Sequence, residues 1–167
     1  MTLADDLLLQ VQHLALVDQR RPKQASLRRA VSTAYCALFH LLIAAFVRRI
    51  APACPVGLQA RVGRALSHSE MREVCGTVIR KDHGPVLAGL LPSGFSPEMR
   101  SVAEAFINLQ DDRHRADYDL SVSYTRPEVL NLLQQASEAF RAWAVVESNE
   151  EAVVFLSAML FARRWGR

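Results

Sequence analysis

The chain has 167 residues and a mass of 18.6 kDa, the usual size of one domain with one core. Half of it is hydrophobic and 22% is charged, so the chain can bury a sizeable core and leaves apolar surface for a partner. The net charge of +3 and pI near 9.0 are too weak for the dense basic stripe of a dedicated DNA-binding protein, but they permit an RNA partner.

In chain order, the first predicted helix covers about residues 3 to 18, where Leu3, Leu7, Val11, Leu14 and Val17 recur at helical spacing until Pro22 in "RRPKQAS". A second helix runs from about Gln24 to Ile50 and stops at "APACP", whose prolines remove amide donors. Its residues divide into two apolar lines: Leu27, Val31, Ala34, Leu38, Leu41 and Ala45, and beside them Tyr35, Phe39, Leu42 and Phe46. The remaining line, Arg29, Thr33, Cys36 and His40, is a polar seam that faces a cleft or a second subunit. A third helix is predicted over Gly57 to Lys81, followed by a loop "DHGPVLAGLLPSGFSP". The fourth spans about Pro97 to Arg115. The fifth begins at "TRPE", where Thr125 and Glu128 have capping-box spacing, and extends to Arg164 with a polar interruption, "ESNEE", at 147–151. Strand patterns are nearly absent. The expected fold is therefore all-α, an antiparallel up-and-down bundle of four to five helices. One domain covers 1–167, with a core over about 3–145 and a C-terminal helix near 150–165 that docks on the bundle or on a partner subunit.

"AVSTAYCALFHLLIAAFV", residues 30 to 47, carries no formal charge and is just long enough to span a membrane. Ser32, Thr33 and His40 inside it, and arginines on both flanks, favour a central buried helix. Acidic residues at the N-terminus replace the basic start of a secretory signal, so a cytoplasmic location is expected. Cys36, Cys54 and Cys75 read as buried free thiols, at no metal-ligand spacing, and no cofactor is implied.

"DDRHRADYDL", residues 111 to 120, is the densest cluster of ionisable groups. The stripe Met99, Val102, Phe106, Leu109 continues through Arg113 to Ala116 or Asp117, so Arg113 must either pair with an acid such as Asp117 or line a polar cleft.

"LRRAVSTAYCALFHLLIAAF" resembles the second helix of HEPN domains, and "NLQDDRHRADYDL" resembles the arginine-bearing motif of the same family, in the subgroup reading Arg-His-x-Ala-Asp-Tyr-Asp. The similarity covers about residues 3 to 145. It implies a helical bundle that homodimerises, brings two arginine motifs together, and binds RNA or a nucleotide. Arg113 would contact phosphate, with Asp117 and Tyr118 beside it and Arg29 and His40 as further ligand-binding candidates. Catalytic relatives cut RNA without metal, using a histidine four to six residues after the arginine. Positions 118 to 120 here are Tyr118, Asp119 and Leu120, and a phenol, protonated at neutral pH, is a poor general base. His114 lies about 100° around the helix from Arg113. Three functions follow: a binding module with a toxin–antitoxin or defence system as its setting; a metal-independent endoribonuclease toxin using Arg113, His114 and Tyr118; or a structural bundle. The resemblance also implies a nucleotidyltransferase antitoxin as partner, with Tyr118 a candidate acceptor.

Overall fold

A computed structural model describes residues 1–80 and 83–161. Its elements are α1 (Leu3–Leu16), α2 (Gln24–Ile50), α3 (Val56–Arg64), α4 (His68–Ile79), α5 (Gly84–Leu90), α6 (Pro97–Tyr118), α7 (Arg126–Val146) and α8 (Glu150–Phe161). No strand occurs among the described residues, so the all-α expectation holds. The backbone groups into two compact units, Met1–Leu41 with Ala105–Arg141, and Leu42–Glu104 with Ala142–Arg167. The expected ends of the third and fifth helices, Lys81 and Arg164, lie outside the described residues.

In the first unit the helix starts follow local chemistry. Thr2 caps α1 in a capping box with Asp5, its backbone N–H donating to Asp5 Oδ2 at 2.7 Å. Thr125 and Glu128 do the same for α7, as their spacing predicts: the Thr125 N–H donates to Glu128 Oε2 at 2.7 Å. The last carbonyls of α1 and the turn after it are taken by Arg126, whose Nε donates to Ala15 O at 2.9 Å and whose Nη2 reaches Asp18 O. The core of this unit holds Val11, Leu27, Val31, Tyr35, Leu38, Phe106, Leu109 and Val129, each fully buried or nearly so. Each such side chain contributes about 1.5–3 kcal/mol relative to exposure. At the N-terminal end of the first predicted stripe Leu3 is 58% exposed, and Val17 lies beyond the end of α1.

The second unit departs further from the sequence pattern. The expected helix over 57–81 is two helices, broken at residues 65–67, where Ser67 caps α4 by accepting from the Glu70 N–H at 3.2 Å. The expected loop contains α5, which has Pro85 in its first turn and buries Leu87. The polar "ESNEE" stretch does divide the last helix. α8 docks on α4, burying Ala152, Val154, Phe155, Leu156, Ala158 and Met159. Phe155 packs near Trp143, ring centroids 6.2 Å apart. Buried Glu151 accepts from the Ser96 N–H at 2.9 Å, at the positive end of α6.

α2 is long and apolar enough to cross a membrane by length and composition, and 61% of its most apolar window is buried inside the protein. Its two apolar lines are buried as expected, apart from half-buried Leu41 and Phe39. Cys75 is buried as expected, whereas Cys36 and Cys54 are half-buried; all three are free thiols.

Candidate functional site

The C-terminal half of α6 lies against the N-terminal half of α2 because the loop after α6 is tied to the first turns of α2. Gln24 makes a two-point amide pairing with Tyr124, its Nε2 donating to Tyr124 O at 2.7 Å and its Oε1 accepting from Tyr124 N at 2.9 Å. One turn on, Arg28 donates to the carbonyls of Asp119 and, at 3.1 Å, Val122. Tyr124 closes the loop from the other side by donating its hydroxyl to Asp112 O at 3.1 Å.

This clamp brings Arg113 over the ring of buried Tyr35, its guanidinium carbon 5.6 Å from the ring centroid. Arg113 Nε donates to Asp117 Oδ2 at 3.0 Å, and both side chains are about a third exposed, at 31% and 30%. The other carboxylate oxygen, Oδ1, accepts from the hydroxyl of buried Ser32. The guanidinium is thus fixed on Nε and on one face. Among the described residues Nη1 and Nη2 have no protein hydrogen-bond partner, so the end of the fork is available to an oxyanion.

Beneath it lies the predicted seam. Thr33 spends its hydroxyl on Arg29 O at 2.7 Å. Burial pushes the Cys36 thiol up from its ordinary range, while the Arg113 and Arg29 guanidiniums pull it down and the Asp117 carboxylate adds to the rise. These opposing influences put Arg29, Arg113 and Asp117 within electrostatic reach of one thiol. Arg29 is exposed. His40, one turn beyond Cys36, is half-buried with Phe39 edge-on at 5.6 Å, and burial lowers its pKa from the ordinary histidine value, favouring the neutral imidazole.

His114 and Tyr118 sit on the adjoining flank of α6, as helical geometry requires. Their rings pack at 4.9 Å, His114 is exposed and Tyr118 is 67% exposed. The structure therefore joins Arg113 to Asp117 and leaves Tyr118 with His114. It adds Ser32, which the sequence offered only as a polar residue against a membrane span, and Tyr35, which it placed in an apolar line. Spacing held the signal: positions 29, 32, 33 and 36 share one face of α2. Among the described residues no group of three or more His, Cys, Asp and Glu side chains gathers to hold a metal ion.

Comparisons with protein-family models, with curated proteins and with solved structures found no match for this chain.

Proposed function

We propose that this chain is a HEPN-type helical domain, cytoplasmic and homodimeric, that binds RNA or a nucleotide through Arg113. The observation that carries the reading is the presentation of Arg113. Its Nε is held by Asp117 at 3.0 Å and its face by Tyr35, while Nη1 and Nη2 have no partner among the described residues. Fixing a flexible arginine before the ligand arrives lowers the ordering cost of binding. Exposed Arg29 adds a second cation for a neighbouring phosphate.

The test is a titration of adenine nucleotides and of short single-stranded RNA against the wild type and Arg113→Ala, alongside thermal melting. Loss of binding with a nearly unchanged melting temperature supports the reading. Unchanged binding with a large drop in stability makes Arg113 a structural ion-pair residue and removes it.

A second reading, a metal-independent endoribonuclease toxin, rests on the exposed His114–Tyr118 pair next to Arg113. RNA incubated in chelator is then cut by the wild type and spared by Arg113→Ala and by His114→Ala. In that setting Tyr118, 67% exposed, is open to modification by a nucleotidyltransferase antitoxin.

A further inference from the structure

His114 and Tyr118 stand one turn apart on α6, both exposed, with their rings in contact at a centroid distance of 4.9 Å. A single exposed aromatic is ordinary, and a ring pair near the end of a helix adds only local support. Its neighbour sets this pair apart. Arg113 directly precedes His114 and Asp117 directly precedes Tyr118, so the rings lie level with the Arg113–Asp117 ion pair and about 100° around the helix from it. On a helix about 10–12 Å across, that arc is about 10 Å. This is the scale of one nucleotide with its phosphate on the guanidinium and its base on the rings.

The charges around the rings agree. The carboxylates on either side of Tyr118 are turned to protein donors. Asp117 accepts from Arg113 Nε at 3.0 Å and from the Ser32 hydroxyl, and Asp119 Oδ1 accepts from the Ser121 N–H at 2.9 Å and its hydroxyl at 2.6 Å. Arg113 is held over Tyr35, with Nη1 and Nη2 without partners among the described residues. Because α2 meets this part of α6 through Tyr35 and Ser32, exposed Arg29, one turn before Ser32, lies on the α2 side of Arg113, while the rings lie on the other. Arg29, Arg113 and the ring pair thus follow one another across the surface, as the phosphates and a base of one strand do.

We propose that the His114–Tyr118 ring pair is a stacking platform for an unpaired base of single-stranded RNA, an assignment that rests on the reading of Arg113 as a phosphate contact. Stacking needs an open base face, which a single strand offers and a duplex keeps inside its own stack. Every base has such a face, so the platform is tolerant of sequence. The ring of Tyr118 makes the contact, and its hydroxyl takes no part.

The test is competition for an end-labelled 12-nucleotide RNA of mixed sequence, followed by fluorescence anisotropy with the full chain. The competitors are the same RNA unlabelled, its blunt duplex, and a 12-unit abasic tetrahydrofuran-phosphate strand, all at matched salt. The single strand is expected to compete at least about tenfold better than the duplex or the abasic strand, the loss expected for one stacked base. Tyr118→Ala should lose about that factor for the single strand and nothing for the abasic strand, with Tyr118→Phe like the wild type. Thermal melting confirms that each variant is folded. Equal affinity for single and abasic strands, or a Tyr118→Ala protein that binds RNA like the wild type, overturns the platform. If Arg113→Ala still weakens every probe, the phosphate reading survives that result. Tighter binding of the duplex overturns the unpaired-base assignment, and a Tyr118→Phe loss as large as that of Tyr118→Ala assigns the contact to the hydroxyl and overturns stacking. Arg113→Ala binding every probe like the wild type, or a wild type that binds none of them, removes the phosphate reading and the platform with it.

Discussion

Arg113 does two jobs with one side chain, and their energies differ enough to separate. The Arg113–Asp117 pair spans one helical turn with both partners about a third exposed, at 31% and 30%. Pairs of that kind contribute about 0.3–1 kcal/mol to stability. Arg113→Ala should therefore lower stability by about 1 kcal/mol in chemical denaturation, whereas loss of a phosphate contact should dominate a binding titration. Ser32 is the less obvious member of the site. Buried, it donates to Asp117, so Ser32→Ala should cost about 1 kcal/mol by leaving one carboxylate oxygen without that bond. Glu128 gives the residue scale a pH signature. Hydrogen bonds from the Thr125 side chain and backbone hold its carboxyl below the ordinary value of 4.5. Its stabilising contribution is complete above that value and is lost as pH falls through the lower, folded-state pKa. Thr125→Ala removes the cap, costs about 1 kcal/mol at neutral pH, and should make the melting temperature less sensitive to acid below about pH 4.5.

At the scale of elements, helix positions were legible wherever periodicity was strong or a stop was sharp. α2 lies where Pro22 and the "APACP" prolines bracket it, and α7 begins at the Thr125 box. The polar 147–151 stretch breaks the last helix at its exposed residues 147–149, and α8 resumes at Glu150. Two signals were present and outweighed. Ser67 followed by Glu70 has capping-box spacing, yet the helical run over 57–81 hid the boundary between α3 and α4. Pro85 suits a first turn, yet the surrounding glycines and prolines made α5 read as loop. Ser67→Ala should test the boundary directly, costing about 1 kcal/mol if the hydroxyl is the cap that starts α4. Close packing offers another check, because a Cβ at Gly63 of α3 would lie 3.3 Å from the Cγ2 atoms of Ile43 and Val47 of α2. Gly63→Leu should overpack that contact and cost about 1–3 kcal/mol by calorimetry.

At the scale of the whole molecule, the site was legible only in part. Arg113 and Asp117 could be placed together by counting turns along one helix. Tyr35 and Ser32 could not, since their contacts with α6 depend on how the Gln24 and Arg28 clamp docks a loop nearly a hundred residues away in sequence. The dimer expectation rested on uncovered apolar surface in the second helix and the tail, and the chain covers most of that surface itself. The large hydrophobic side chains left exposed include Leu9, Leu16 and Val17 in and just after α1, and Val56 and Leu58 in α3. If the proposed homodimer forms, light scattering at micromolar concentration reports twice 18.6 kDa, and burial of α1 or α3 in the interface makes Leu9→Glu or Leu58→Glu shift it toward monomer.

The central claim is that the free end of the Arg113 fork receives a phosphate, and fluorescence anisotropy with end-labelled single-stranded RNA measures it most directly. The wild type should bind, with affinity falling as salt rises because phosphate contacts release counterions. Arg113→Ala should weaken binding by at least about tenfold and flatten the salt slope by about one contact, in a protein whose melting curve is nearly unchanged. Equal affinities and equal salt slopes for wild type and Arg113→Ala, both folded, would contradict the account.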